Sequence, residues 1–357
     1  MAEYNLAVIP GDGIGPEVIA EGKKVLEALA SQTPGLAFNY TEFSWGSGYY
    51  RETGQMMPDD GLEQLQTADA ILFGAVGDPQ IPDHITLQGL LLPMRRVFDQ
   101  AVCIRPAILY PGVTSPLAGK NPGQIDMVIF RENTEGEYAP VGGRLYPGTP
   151  HETVIQSGVF TRRGTERIMR AAFEHCAQRN RKRKVTSVTK SNAQAFSMVF
   201  WDEVFDEVAT DYPQIETESL LVDRAAMDLV RWPESFDVIV ASNLFADILS
   251  DIAAVVTGSM GLAPSANINP DRKYPSMFEP VHGAAFDITG KGLANPLATI
   301  SAVAMMLEHL GEHRAAQRVD AAVVRSLQER RVMTPDLGGS ATTSQVGDEV
   351  ARLLGGG

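Results

Sequence analysis

Cysteine is scarce in this sequence of 357 residues, in which Cys103 and Cys176 are the two thiols. They form no C-x-x-C pair, and this excludes a disulfide framework and a zinc site built only from cysteines. Cys176 falls on the apolar face of a predicted helix over 165–177, so we expect it to lie in the core.

Long apolar runs are also absent, since none reaches the roughly 18 residues needed to span a bilayer. The N-terminal residues contain neither a basic segment nor a long apolar one. We therefore expect no secretory signal and a cytoplasmic protein.

Basic residues are outnumbered, because 30 Lys and Arg face 44 Asp and Glu and leave a formal net charge of −14. Such an acidic protein is a poor candidate for binding nucleic acid or a membrane surface. The basic run 181–184 has no interleaved aromatic residue, so a solvated loop is favoured over the alternative of an RNA-binding patch. An anionic substrate would need a local positive pocket, which directs attention to single arginines.

The sequence does contain a series of short apolar runs, each ending in a polar or glycine cluster that leads into a helical pattern. These runs are 6–9, 70–73, 127–130, 185–188 and 238–240. Continuous apolar runs of this length are typical of strands that are buried on both faces. Their alternation with helices predicts an α/β fold with a largely parallel sheet, which binds ligands at the carboxyl ends of its strands.

The segment from about 137 to 156 differs from the rest, because it is rich in glycine and proline and contains Tyr138 and Tyr146. We predict an arm or hairpin outside the main sheet. An exposed β arm is an aggregation hazard unless it is paired, and a second subunit is one solution.

Asp247 and Asp251 are four residues apart and therefore share one face of a predicted helix. Their carboxylates repel each other unless a cation joins them, and oxygen ligands suit Mg²⁺ or Mn²⁺. The alternative is two surface aspartates near a helix start, where the helix dipole favours them. Asp223 follows another short apolar run and would supply a third carboxylate.

Arg95, Arg105 and Arg131 each lie where a buried element ends or meets a turn. Guanidinium groups bind carboxylates bidentately, so three of them would suit a substrate with two carboxylates. Structural salt bridges are the alternative.

The glycine cluster 11–15 is not the dinucleotide fingerprint, because its third glycine arrives one residue early, and it lacks the Lys-Ser/Thr of a P-loop. His282 could be a metal ligand, a stacking partner or a core residue. Zinc is not expected, since no second histidine stands at ligand spacing.

Together these motifs resemble the β-decarboxylating dehydrogenases, the isocitrate and 3-isopropylmalate dehydrogenase family, nearly from end to end. The most specific stretches are 131–138, 189–192 and 242–251. The resemblance implies a two-domain α/β/α fold with a large mixed sheet, which is not a Rossmann fold. It implies a large NAD-binding domain of 1–99 plus 257–357 and a small domain of 100–256 that carries a dimerisation arm.

Within the family, stretches 77–84, 95–100 and 263–270 look like the tartrate dehydrogenase/D-malate dehydrogenase (decarboxylating) group. Gln88 departs from that group, which usually has a large aromatic there, and from the 3-isopropylmalate enzymes, which usually have glutamate. The alternative is a 3-isopropylmalate dehydrogenase, with Leu91 and Leu92 lining the pocket for the isopropyl group. Isocitrate and homoisocitrate dehydrogenases are further alternatives.

The implied reaction is oxidation, with decarboxylation, of a small 2-hydroxy dicarboxylic acid, and D-malate would give pyruvate and CO₂. Tyr138, Lys190 and Asp223 would be catalytic, Lys190 and Asp223 acting from the partner subunit of a homodimer. Lys190 would act with Asp223 in removing the hydroxyl proton, and Tyr138 would donate a proton later. A non-catalytic protein that kept the fold would lack one of these groups, and all are present.

The resemblance also assigns the ligand-binding residues. The three arginines would bind the substrate carboxylates, and Asp223, Asp247 and Asp251 would hold Mg²⁺ or Mn²⁺, with a monovalent cation as a further requirement that the family allows. The expected cofactor residues are Asn192, Glu279, His282, Gly283, Asp287 and Asn295. An acidic residue at Asp287 favours NAD over NADP, because it suits a free ribose 2′-hydroxyl. Phe286 stands where the family has a proline.

Overall fold

The architecture was analysed in a computed structural model, which describes residues 2–355. Strands and helices alternate along this part of the chain. The strands are β1 (Ala2–Gly11), β2 (Leu36–Glu42), β3 (Ala70–Ala75), β4 (Val102–Ile108), β5 (Asp126–Glu132), β6 (Gly142–Leu145), β7 (Thr153–Gln156), β8 (Lys184–Thr189), β9 (Glu216–Leu221), β10 (Val238–Ala241), β11 (Pro264–Ile268) and β12 (Ser276–Pro280).

The α-helices cover the strands on both sides. They are α1 (Gly15–Gln32), α2 (Ser47–Thr53), α3 (Gly61–Leu65), α4 (Asp83–Thr86), α5 (Leu92–Val97), α6 (Arg162–Arg179), α7 (Ser197–Ala209), α8 (Val222–Arg231), α9 (Asn243–Val256), α10 (Leu297–His309), α11 (His313–Glu329) and α12 (Thr343–Leu354). A π-helical turn, Leu87–Leu91, joins α4 to α5. No helix between residues 2 and 355 combines the length and apolar character needed to cross a bilayer.

Ten strands form one mixed sheet in the order β2-β1-β3-β12-β11-β4-β5-β10-β8-β9. Strand β11 runs antiparallel to both of its neighbours, and β4 runs antiparallel to β5, whereas the other pairs are parallel. The prediction of an α/β fold with a large mixed sheet is confirmed. All five apolar runs lie within its strands, as their continuous hydrophobicity predicts.

The core lies on both faces of this sheet. Strand β3 is buried along its whole length, because helices pack on each side of it. Helix α6 buries one stripe of residues at helical spacing, and Cys176 belongs to that stripe, as predicted.

The sheet has two halves of different origin in the sequence. Strands from 1–99 and 257–357 form the half from β2 to β11, and strands from 100–256 form the half from β4 to β9. The halves meet where β11 pairs with β4. Because the sheet is continuous across this junction, the division into two domains stays a prediction.

A separate two-stranded hairpin, β6 and β7, lies within the segment predicted as an arm. All eight of its strand residues are exposed.

Candidate active site

A small cavity of about 140 Å³ opens at the carboxyl ends of β3 and β12. Arg95 and Arg105 line it together with Glu279, His282 and Gly283. Two predicted substrate residues and three predicted cofactor residues therefore share one site, at the edge of the sheet where α/β proteins bind ligands.

Both arginines of this cavity are buried and only partly satisfied. Arg95 Nη2 donates to Glu279 Oε1 at 2.8 Å, and Arg105 Nη1 donates to Ser250 Oγ at 2.7 Å and to Asp247 Oδ1 at 3.2 Å. The Nε atom of each arginine has no hydrogen-bond partner. Because an unpaired buried donor is unfavourable, both guanidinium groups have hydrogen-bonding capacity left that an anion in the cavity could use after a small rearrangement.

Arg131 stands at the end of β5, beside this cavity. Its Nε and Nη2 atoms donate to Asn243 Oδ1 at 3.0 and 2.8 Å, and its Nη1 donates to Asp247 Oδ1. The Tyr138 hydroxyl donates to the other oxygen of Asp247 at 2.7 Å. The Arg131 guanidinium also lies 5.3 Å from the centre of the Tyr138 ring. Asp247 thus binds two arginines and a tyrosine, whereas the i,i+4 spacing on α9 indicates only that Asp251 is its neighbour on the helix.

The electrostatics of this cluster follow from burial and from the arginines. Burial by itself raises the pKa of Asp247, but the charges of Arg131 and Arg105 outweigh it and leave that pKa below its usual value. Burial and the neighbouring Asp247 raise the pKa of Tyr138 to about 12. The phenol is therefore protonated near neutral pH and can donate its proton.

The predicted metal ligands are only partly assembled in one chain. Helix α9 places Asp251 one turn after Asp247, and burial raises the pKa of Asp251 although Arg105 opposes this. Among residues 2–355, no three His, Cys, Asp or Glu side chains gather to hold a metal ion. The oxygen donors fit a hard divalent cation, but one chain offers two aspartates on this face and lacks the third carboxylate.

Asp223 lies elsewhere, in the first turn of α8, where it forms an ion pair with Lys190 at the end of β8. The hydrogen bond from Lys190 lowers the pKa of Asp223. Asn192 is exposed in the loop that follows Lys190. No hydrogen bond or ion pair between described residues joins these groups to the cluster around Asp247.

A second cavity, of about 300 Å³, adjoins the first through His282, which lines both. Asn295 lines it too and donates to Asp336 Oδ2 at 3.0 Å. Burial lowers the pKa of His282, so its ring is neutral near pH 7. Asp287 is exposed and does not line this cavity. Asp336 was not predicted as a site residue. The resemblance to the family, which extends through residues 334–339, could have pointed to it.

The glycine cluster after β1 serves close backbone packing. Gly11 has φ +69°, and a Cβ atom there would lie 1.9 Å from the carbonyl oxygen of Ala75. Gly13 has φ +58°, and its Cβ would meet the carbonyl oxygen of Ala284 at the same distance. The loop is thereby held against the two cavities.

Gln88, the residue that departs from both family patterns, is exposed and accepts long hydrogen bonds from Arg96 at 3.3 and 3.4 Å. The π-helical turn instead directs Leu87 and Leu91 into the wall of the smaller cavity. Leu92 was expected in that wall under the 3-isopropylmalate alternative, but Leu87 takes this place because the π turn changes the helical register.

The basic run is occupied by structural contacts. Arg181 pairs with Asp126 at 2.6 Å, and Lys184 pairs with Glu218 at 2.8 Å. Lys182 donates to the carbonyl oxygen of Phe236 at 2.8 Å. Residues 181–183 are exposed, as predicted for a solvated loop, and Lys184 begins β8.

Comparison with known proteins finds relatives that match over nearly the whole chain. The chain is 53% identical to a "probable tartrate dehydrogenase/decarboxylase" of Agrobacterium vitis over 356 residues, which cover 100% of this chain and 99% of the relative. It is 52% identical to the D-malate dehydrogenase [decarboxylating] of Escherichia coli, with 99% of each chain covered. A 3-isopropylmalate dehydrogenase of Thermobifida fusca is 51% identical, with 98% of this chain and 97% of the relative covered.

Among solved structures, the isocitrate dehydrogenase of Methylococcus capsulatus matches with a TM-score of 0.88 and 35% identity, over 98% of this chain and 99% of that one. Residues 5–350 match the isocitrate/isopropylmalate dehydrogenase family. The resemblance to the tartrate and D-malate dehydrogenases that the sequence motifs indicate is confirmed by these relatives. The chain therefore belongs to the isocitrate/isopropylmalate dehydrogenase family of oxidoreductases.

Proposed function

We propose that this enzyme oxidises a small 2-hydroxy dicarboxylic acid with NAD and Mg²⁺ or Mn²⁺, most readily D-malate or tartrate, and that it converts D-malate to pyruvate and CO₂. The observation that carries this proposal is that two buried arginines, Arg95 and Arg105, line one small cavity and each keep an unpaired Nε donor. Such donors suit a compact anion, and Arg131 stands beside them for a second carboxylate.

The arginines would bind and orient the two substrate carboxylates. Each is buried, so its charge acts in a medium of low dielectric and favours a doubly charged ligand strongly. Asp247 neutralises part of the charge of Arg105 and Arg131. Glu279 likewise pairs with Arg95, so these five side chains keep a net charge of about +1, and the divalent ion would supply the rest of the positive charge that a dicarboxylate needs.

Asp247 and Asp251, with Asp223 of the partner, would hold the divalent ion. When bound, this ion would acidify the substrate hydroxyl and stabilise negative charge on the product. The oxygen-only donor set fits Mg²⁺ or Mn²⁺. Asp251 is free for this role, since no hydrogen bond occupies its carboxylate in the described part of the chain.

Tyr138 and Lys190 would move the protons. The Tyr138 phenol is held by Asp247 and keeps its proton near neutral pH, so it suits proton donation after CO₂ leaves. Lys190 would take the hydroxyl proton, with Asp223 holding its amine. An ammonium cannot accept a proton, so Lys190 must first lose one to solvent or to a relay.

NAD would lie across the two adjoining cavities and accept the hydride. His282 lines both cavities, and Asn295 lines the larger one, so the predicted residues span the path of an extended dinucleotide. Asp336 supplies a carboxylate in the larger cavity, where it would suit ribose hydroxyl groups. Asp287 would act from the rim as the acidic residue that disfavours a 2′-phosphate.

The active enzyme would be a homodimer whose subunits share each site. The supporting observation is the exposed apolar surface near Lys190 and Asp223. It comprises Met227 and Val230 on α8 and Ile248 and Val255 on α9, each between 47% and 52% exposed. The hairpin adds Leu145, Tyr146, Val154 and Ile155. Exposed apolar side chains that cluster on neighbouring helices are typical of a subunit interface.

A substrate panel tests the proposal. NADH formation is followed with Mn²⁺ and NAD for D-malate, the tartrates, 3-isopropylmalate and isocitrate. We expect the highest kcat/KM with D-malate or a tartrate. A strong preference for 3-isopropylmalate would favour the second candidate, a 3-isopropylmalate dehydrogenase, which the apolar wall of Leu87 and Leu91 supports.

A further inference from the structure

A chain of buried amide side chains leads away from Arg95 through Glu279. Glu279 Oε1 accepts hydrogen bonds from Arg95 Nη2 and from Asn267 Nδ2, both at 2.8 Å. Asn267 Oδ1 in turn accepts from Asn133 Nδ2 at 2.9 Å. Asn133 Nδ2 also donates to the carbonyl oxygen of Gln100 at 3.0 Å. Every one of these residues is at most 5% exposed.

This relay joins distant parts of the chain at the junction of the two sheet halves. Asn267 lies on β11 and Asn133 directly follows β5, while Gln100 precedes β4, which runs between those two strands. Gln100 is itself tied to the carbonyl oxygen of Pro275 at 2.9 Å. The relay therefore connects Arg95 of one half to the end of the strand that carries Arg131.

We propose that Asn267 and Asn133 are positioning residues, which hold Glu279 against Arg95 and so fix the orientation of that guanidinium toward the substrate carboxylate. The proposal rests on the function proposed above, because it takes an anionic substrate at Arg95.

The chemistry of the amide explains the choice of residue. A lysine or arginine at position 267 would compete with Arg95 for Glu279, whereas a neutral amide orients the carboxylate and leaves the ion pair intact. A hydrogen bond to a buried charged group is also stronger than one between neutral groups. Loss of the Asn267 donor should let Glu279 and Arg95 take other arrangements, with the substrate losing its oriented partner.

The test uses the intact enzyme and four variants: Asn267→Leu, Asn133→Leu, their double mutant, and Asn267→Asp, which keeps the volume and removes the donor. Asn269→Leu is the matched control, because Asn269 is equally buried just beyond β11 but donates to the carbonyl oxygen of Asp99. We measure kcat, the KM and calorimetric Kd for D-malate, and the Kd for NAD.

Asn267→Leu and Asn267→Asp should raise the KM and Kd for D-malate about tenfold or more, with kcat within about twofold of wild type. Any rise in the Kd for NAD, which Glu279 is also predicted to contact, should be smaller than the rise for D-malate. The double mutant should be no worse than the poorer single variant, because residues of one relay are not additive. The control should leave all constants near wild type.

The two proposals fail in different ways. A wild-type enzyme that neither binds nor turns over any acid of the panel overturns the proposed function and, with it, this inference. An active wild-type enzyme whose KM and Kd for D-malate are the same in both Asn267 variants as in Asn269→Leu overturns the relay alone. The relay is also overturned if the increase in KM for D-malate in the double mutant equals the product of the two single increases, because the losses of binding free energy are then additive.

Discussion

The Tyr138 hydroxyl lies 2.7 Å from Asp247 Oδ2, while the other oxygen of Asp247 binds Arg131 and Arg105. One carboxylate thus accepts a hydrogen bond from a tyrosine on one side and binds two arginines, proposed to bind substrate, on the other. The arrangement joins the predicted metal ligand to the predicted acid.

Replacement of Tyr138 by Phe should lower kcat for D-malate roughly 10²- to 10⁴-fold, because it removes a positioned proton donor. The Kd for NAD should stay near wild type, since the phenol contacts Asp247 and Arg131, which are not among the proposed NAD-binding residues. Stopped-flow NADH formation and CO₂ release measure the oxidative and decarboxylating steps separately. Wild-type turnover in this variant would remove Tyr138 from the mechanism.

Sharing of the active site predicts complementation between inactive subunits. Lys190→Met and Asp247→Asn should each be inactive as homodimers. Unfolding and refolding an equal mixture should restore about a quarter of the wild-type activity, because half of the dimers are mixed and each has one intact site. Unmixed variants refolded in the same way are the control. A mixture as inactive as its components would place Lys190 and Asp247 in the same subunit's site.

Activity should require a divalent metal ion, and Asp251 should contribute to its binding. A chelator should abolish activity, and Mn²⁺ should restore it. Asp251→Asn should raise the half-activating Mn²⁺ concentration about tenfold or more, because a charged oxygen ligand becomes neutral. Asp206→Asn, an exposed aspartate on α7, is the control. An unchanged Mn²⁺ titration in Asp251→Asn would argue against the ion at this face.

Acid should destabilise the fold through His309, the last residue of α10, whose ring packs against Phe278 at 5.6 Å. Burial, aided by the charge of Arg272, lowers the pKa of His309 to about 4. Between that value and about 6.5, the unfolded chain binds a proton that the folded protein does not. Stability should therefore fall as the pH decreases through this window and stop falling from this source below about pH 4.

His309→Phe keeps a ring against Phe278 and removes the titration. Between pH 7.5 and 5, the wild type should lose about 1–2 kcal/mol more unfolding free energy than this variant. Urea denaturation at the two pH values measures the difference. His84→Phe, at an exposed histidine, should behave like the wild type. Equal pH dependence in His309→Phe and wild type would contradict the prediction.

Much of the fold could be predicted, because a strand buried on both faces has a continuous run of apolar residues in the sequence. The runs 70–73 and 127–130 are continuously apolar, and both became central strands. The order of those strands could not be read from such runs, since each run records only that it is buried and not which strand lies beside it. The antiparallel β11 between β12 and β4 is an example.

The sequence yields candidate site residues, but it does not yield the residues that pair with them. Asp247 and Asp251 share a face of α9, which is a matter of helical period alone. That Arg95 would pair with Glu279, 184 positions away, depends on the packing of α5 against the end of β12. The turn that contains Gln88 could not be predicted either. It is π-helical and directs Leu87 into the cavity, and a π-helical turn has no simple sequence period.

The sequence by itself determined the alternation of strands and helices, the shared face of the two aspartates and the motifs by which the family is identified. Only the tertiary structure decided which buried charges meet, which donors stay unpaired, and that Asn267 and Asn133 lie behind Glu279 and Arg95. The physical reason is the distance along the sequence over which each effect acts. Periodicity and hydrophobicity act over a few residues, whereas a buried arginine is neutralised by whichever carboxylate the sheet order brings to it.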